Sequence, residues 1–151
     1  MPDVAQTWMV YSDGGCAPHN PGPAAWGVVC EPPGGAPAIE RYGFLGYGTN
    51  QIAEIAAAIE GLKLTPEGSS VVLVSDSQYV VKGLSEWRKG WERRGWRNSK
   101  GEPVANADLW RAIFALWDAR KVTARWVRGH SGHPQNERAD RLVAKALRER
   151  P

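Results

Sequence analysis

The chain has 151 residues, 42% hydrophobic and 23% charged, with a formal net charge of +3; this is the size and make-up of one ordinary domain whose core needs no covalent staples. No apolar run approaches the roughly 18 residues needed to span a bilayer, and the start MPDVAQTWMVYSDGG lacks the shape of a signal peptide, so a cytoplasmic protein without membrane contact is expected. Cys16 and Cys30 form no CxxC pair, so neither a disulfide framework nor a cysteine zinc cluster is expected, and both read as free thiols.

Residues 7–13 (TWMVYSD) and 24–30 (AAWGVVC) read as strands, and EPPGGAP at 31–37 as a turn leading to a third strand at 39–47. Short connections imply an antiparallel meander. The hydrophobic period then changes: Ile52, Ile55, Ile59 and Leu62 recur at three and four, which predicts a helix over about 50–64, ended by Pro66 and Gly68. VVLV at 71–74 is continuously apolar, as a central strand should be. Helical segments follow to about Trp91, another at about 107–119 carries Leu109, Ile113, Leu116 and Trp117, and 122–127 is a last strand. The final helix starts at Pro134, where a missing amide costs nothing, and runs to about 148. The order βββ-α-β-α-α-β-α predicts an α/β domain: a mixed five-stranded sheet with helices on both faces, the fourth strand parallel to the first. No linker divides the chain, so residues 1–151 are expected to form one domain.

Ser-Asp closes both the first predicted strand (Asp13) and the fourth (Asp76). If those strands are parallel neighbours, both carboxylates emerge at the carboxyl edge of the sheet, where open α/β sheets bind ligands. Alone, an Asp after a strand is more often a turn residue or a helix N-cap than a ligand, and Asp76 could cap the following helix. Glu54 falls in the first turns of its helix, beside Ala57, Ala58 and Gly61, and Asp140 lies in the last helix among Ala139, Val143 and Ala144. Small neighbours leave such carboxylates partly desolvated. Four that converge without matching cations repel one another, and a divalent cation relieves this. All-oxygen ligation favours Mg²⁺ or Mn²⁺ over zinc, and two ions about 4 Å apart would suit in-line phosphodiester attack.

Between Lys82 and Lys100 seven basic residues face two acidic ones, so this stretch carries +5 and the remainder −2. Trp87 and Trp91 stand one helical turn apart, with Trp96 soon after, interleaved with Arg88, Lys89, Arg93 and Arg94. A solvated helical face and buried tryptophans are one reading; the basic interleaving favours a nucleic-acid surface. Trp110 and Trp117 sit on an apolar stripe and are assigned to the core. VRGHSGHPQNERAD at 127–140 has two histidines, but Gly132 and Pro134 place both ahead of the helix, which disfavours zinc. GFLGYG at 43–48 lacks the spacing of a dinucleotide site.

Taken together, YSDGGCAPHNPGPAAWG, TNQIAE, SDSQYVVKGLSEW, WERRGW and GHSGHPQNERADRLV resemble the bacterial ribonuclease H type 1 family, in order and over almost the whole chain. The resemblance implies a ribonuclease H-like fold, with three antiparallel strands and then two parallel ones. It also implies an endonuclease that cuts the RNA strand of RNA/DNA hybrids, leaving 3′-hydroxyl and 5′-phosphate ends. By motif match, Asp13, Glu54, Asp76 and Asp140 are the catalytic, metal-binding carboxylates, holding two Mg²⁺ ions with substrate (Mn²⁺ a possible substitute). His130 matches the mobile-loop histidine of the family. Gly14, Asn20, Asn50, Gln51, Gln78 and Asn136 match substrate contacts, Thr49 and Asn106 a DNA-phosphate pocket, and Trp87, Trp91, Arg93, Arg94, Trp96 and Ser99 the basic protrusion. Asp13 is followed by Gly-Gly where Gly-Ser is frequent, the loop CAPHNPGP is one residue longer than the common form, and Ile52 replaces a frequent basic residue. No basic N-terminal hybrid-binding domain precedes Asp13, so the protrusion is expected to supply most of the binding, in a monomer. A non-catalytic hybrid-binding module and a DNA strand-transferase of the same superfamily are the competing readings; the intact carboxylates weigh against the first, the protrusion and the GHSGH loop against the second.

Overall fold

In the computed structural model of the protein, residues 6–129 and 131–150 are described. Strands β1 (Thr7–Cys16), β2 (Gly22–Glu31) and β3 (Ile39–Gly48) form the antiparallel meander. Helix α1 (Asn50–Lys63) crosses over to β4 (Ser70–Ser75), which runs parallel to β1. A broken helical stretch follows: α2 (Gln78–Lys82), a π-helical turn (Gly83–Trp87) and α3 (Arg88–Arg93). Then come α4 (Ala107–Asp118), β5 (Lys121–Trp126), parallel to β4, and α5 (Pro134–Arg148). The sheet order is β3-β2-β1-β4-β5. No helix among the described residues is long and apolar enough to cross a membrane.

The period of two along the strands divides the core between the sheet's faces. On one face Val10, Val28 and Leu73 pack with Ile55 and Leu62 of α1 and Trp110, Ile113 and Phe114 of α4. On the other, Tyr11, Val29 and Val74 meet Ala139 of α5, with Ala25 against Val143 and Ala146. Trp110 is fully buried, as its stripe predicts, and its indole N–H donates to the Tyr79 hydroxyl at 3.1 Å, so its polar atom is satisfied.

Two glycines set how closely α1 lies on the sheet. A Cβ on Gly61 would stand 2.5 Å from Val10 Cγ1, and one on Gly14 only 2.2 Å from the Ala53 carbonyl oxygen. These contacts tolerate no side chain, and they bring the first turns of α1 against the far half of β1. The position of Glu54 follows from that approach.

One boundary differs from the sequence reading with consequence. Asp13 does not close its strand: β1 continues to Cys16, because antiparallel pairing with β2 persists through Cys16↔Ala24. The parallel ladder to β4 nevertheless ends at Ser12↔Ser75, so Asp13 and Asp76 both stand one residue beyond it.

Candidate active site

Asp13, Glu54, Asp76 and Asp140 line one cavity of about 370 Å³, with Gly14–Ala17, Asn50 and the α5 residues Val143, Ala144 and Leu147 around them. The four come from β1, α1, the end of β4 and α5, and among the described residues no Lys or Arg lines the cavity. Asp13 sits deepest, 8% exposed. Burial, then the charge of Asp76, then hydrogen bonding to and the charge of Asp140 push its carboxyl up to about 9, against the pull of the Gly14 N–H. Burial raises the Glu54 carboxyl and the charge of Asp76 adds to this, while a hydrogen bond from Ser77 opposes the rise.

The fate of Asp76 depended on which residue caps the next helix. Ser77 is the cap: its Oγ accepts from the Val80 N–H at 3.1 Å and donates to Glu54 Oε2 at 2.6 Å. Asp76 is thereby spared for the cavity. Its backbone is held from β5, where the Trp126 indole N–H donates to the Asp76 carbonyl at 3.0 Å and the Val127 N–H to the Ser75 carbonyl at 3.0 Å. The backbone at Gly129 lies so close that a Cβ there would stand 2.8 Å from Asp76 Oδ2. Ser77 and Trp126 were not among the residues singled out from sequence. The Ser77 cap was open to discovery from its spacing to α2, whereas no pattern in the chain announces a hydrogen bond across 50 residues from Trp126 to Asp76.

The donor set among the described residues suits a hard divalent cation: carboxylate oxygens, partly desolvated and with no Lys or Arg lining the cavity beside them. Among the described residues no three His, Cys, Asp or Glu groups are gathered closely enough to hold an ion as they stand. A bound divalent cation would displace the Asp13 proton and draw these four carboxylates inward.

Around the cavity, several residues matched to substrate contacts also hold the local backbone. The Cys16 N–H donates to Asn50 Oδ1 at 2.8 Å, and the Asn50 N–H to Asn20 Oδ1 at 3.0 Å, so Asn20 and Asn50 tie the loop after β1 to α1 through their side-chain oxygens. Gln51 and Gln78 are exposed at the starts of α1 and α2. Thr49 caps α1, accepting from the Ile52 N–H at 3.0 Å, while Asn106 opens α4 with its amide donating to the Tyr79 hydroxyl at 3.2 Å. No hydrogen bond among the described residues joins Thr49 to Asn106. Asn136 is only 3% exposed, so it presents little more than one edge to a substrate. His133 caps α5, its Nδ1 accepting from the Asn136 N–H at 3.2 Å. His130 lies outside the described residues.

The basic protrusion combines half-buried rings with exposed cations. Trp87, Trp91, Arg93, Arg94 and Ser99 line a cavity of about 480 Å³. Trp96, expected with them, is not among the residues lining it. It packs against Trp91 and Phe114 at 6.0 and 5.8 Å between ring centres, and the Arg111 guanidinium covers its ring at 4.5 Å. Arg88 is likewise used internally: Nη1 and Nη2 donate to Asp118 at 2.6 and 2.7 Å, holding the Asp118 carboxyl below its usual range. The cations left facing that cavity are Lys89, Arg93 and Arg94.

A sequence profile of the RNase H family matches residues 5–148. The chain belongs to the RNase H family. It is 48% identical over 140 residues to the ribonuclease H of Pseudomonas entomophila (strain L48), covering 93% of each chain. To the ribonuclease H of Methylorubrum extorquens (strain PA1) it is 50% identical over 141 residues, which is 93% of this chain and 60% of that relative. Among solved structures, LC9-RNase H1, described as a type 1 RNase H with the type 2 active-site motif, superposes with a TM-score of 0.81 at 30% identity, over 97% of this chain and 74% of that one. LC11-RNase H1, solved in complex with an RNA/DNA hybrid, superposes with a TM-score of 0.66 at 26% identity over 93% and 96%. Family membership and the matched structures thus agree with the five-stranded mixed sheet.

Proposed function

We propose that this chain is a ribonuclease H that hydrolyses the RNA strand of RNA/DNA hybrids, using two divalent ions (Mg²⁺, with Mn²⁺ as a substitute) and leaving 3′-hydroxyl and 5′-phosphate ends. The observation that carries the reading is the set of four carboxylates from four separate elements lining one cavity, with no Lys or Arg among the described residues that line it. Asp13, Glu54, Asp76 and Asp140 would hold the ions, which when bound supply the positive charge that activates water and offsets charge on the phosphodiester in an in-line attack. The chain's own residues then position the parts. Ser77 orients Glu54, Trp126 anchors the Asp76 backbone, and the Asn20–Asn50 link shapes the cavity's rim.

Lys89, Arg93 and Arg94 around the Trp87–Trp91 cavity would take phosphates of the uncut strand while the indoles meet sugars. Gly14, Gln51 and Gln78 would face the shallow groove, where 2′-hydroxyls distinguish RNA from DNA. His130 would assist proton transfer or product release, as its motif implies. The hybrid in the LC11-RNase H1 structure supports the substrate class. The reading also places a monomer in the cytoplasm, to which the unpaired thiols of Cys16 and Cys30 lend support.

The decisive experiment is cleavage of an end-labelled hybrid with and without Mg²⁺, beside Asp76→Asn. Metal-dependent cutting of the RNA strand by the wild type, lost in a folded Asp76→Asn protein, is expected. Full activity in that variant would overturn the assignment.

A further inference from the structure

Helix α5 carries a second positive surface that the sequence's charge balance conceals, because Glu137, Asp140 and, at its C-cap, Glu149 are interspersed with its cations. Arg138, Arg141, Lys145 and Arg148 recur at three and four, so they share one side of the helix. Arg138 is committed to an ion pair with Glu40. Lys145 stands over the Tyr42 ring at 5.2 Å, and the Tyr42 hydroxyl donates to Glu149 at 3.0 Å. Arg141 and Arg148 are exposed, as is Arg150 beyond the helix, and among the described residues none of the three has a carboxylate within ion-pair reach.

This surface continues from the carboxylate cavity. Ala17 and Leu147 line that cavity and also an adjoining one of about 460 Å³, which Pro18, Arg148 and Arg150 complete. Arg148 in turn lines a third cavity, of about 240 Å³, with Arg138, Arg141 and Lys145. A track therefore leads from Asp140 over the end of α5 to its basic side. Arg141 to Arg148 spans about 10 Å of helix axis, the length over which one duplex strand presents about three phosphates.

We propose that Arg141, Lys145, Arg148 and Arg150, carried on and just beyond the helix on the sheet face opposite to the one the protrusion's tryptophans pack on, form a second phosphate-binding surface, which holds the nucleic acid where it leaves the cavity past Ala17–Pro18. This rests on the hybrid-nuclease reading above. Continuity with the carboxylate cavity is what favours nucleic acid over an acidic protein. A substrate anchored on one flank only can pivot about the scissile phosphate; anchoring on both fixes its path across the carboxylates.

The test uses Arg141→Gln/Lys145→Gln/Arg148→Gln in the full chain. Its partner, Arg141→Lys/Arg148→Lys, keeps the charge. Hybrid binding is read by fluorescence anisotropy in EDTA, with duplexes that end near the cleavage site or extend by about ten base pairs on one side or the other. Binding of the extended hybrid should weaken about tenfold in the Gln variant, with a log–log salt dependence flatter by about 2–3, and the Lys variant should restore both. The deficit should appear for extension on one side only, and in cleavage assays it should fall on KM more than on kcat. Unchanged affinity and salt dependence would overturn the proposal, as would an equal deficit for both extensions. Loss of polyglutamate binding with intact hybrid binding would also overturn it, assigning the surface to an acidic protein. If the wild type cleaves no hybrid, the nuclease reading fails, while the anisotropy still reports whether this surface binds nucleic acid.

Discussion

Asp13→Asn should stabilise the metal-free protein, by an amount that grows with pH. In the folded chain the Asp13 carboxyl is pushed up to about 9 from an ordinary 3.8, first by burial and then by Asp76 and Asp140. Below pH 4 both folded and unfolded chains hold this proton, and it makes no difference. As pH rises the unfolded chain ionises and the folded one does not, so the native state binds more protons and stability falls until the pH reaches about 9. From pH 4 to pH 7 this amounts to three pH units at about 1.4 kcal/mol each, or about 4 kcal/mol as an upper bound. The cavity opens to solvent and its carboxylates can move apart, so about 1–3 kcal/mol is the expected gain for the amide, which keeps the shape and removes the charge. Urea unfolding in EDTA at pH 4.5, 6, 7 and 8.5 measures it. Mg²⁺ should narrow the gap by binding the native wild type more tightly than the variant. A difference that does not change with pH, or a variant no more stable than the wild type at pH 8.5, would refute the claim that these carboxylates strain the fold.

Other expectations follow from single contacts. Ser77→Ala removes both the α2 cap and the hydrogen bond to Glu54, so it should cost about 1 kcal/mol in chemical denaturation and lower kcat more than it raises KM. Trp126→Phe deletes the N–H that holds the Asp76 carbonyl, together with part of the ring; kcat should drop several-fold and the Mg²⁺ titration should move to higher concentration, whereas a merely structural role would lower Tm and leave that titration in place. Arg93→Ala/Arg94→Ala should raise KM for hybrid and flatten its salt dependence by about 2, and an unchanged salt dependence would remove them from the binding surface. Asp118→Asn breaks the bidentate pair with Arg88; because Asp118 is largely exposed, stability should fall by no more than about 1 kcal/mol, measured by thermal melting.

Element types and their order were legible in the chain because strand and helix periods differ and the stripes are long. The parallel pairing of β1 with β4 followed from a helix-length crossover between two apolar strands. The carboxylates could be named individually, and Asp13 and Asp76 were placed at one edge by the position of their Ser-Asp pairs. Other features depended on tertiary contacts. The continuation of β1 past Asp13 is decided by its partner β2, and the freedom of Asp76 by Ser77 taking the cap. The tryptophans illustrate the limit: Trp87, Trp91 and Trp96 share one basic context in sequence and all three are half-buried, but only the tertiary structure shows that Trp91 and Trp96 pack on Phe114 of a distant helix. Local residue spacing determines which faces of each element are apolar or charged. Which of those faces meet, and so which carboxylates feel one another and which cations stay unpaired on α5, is decided only when the packed sheet brings segments far apart in sequence within a few ångströms.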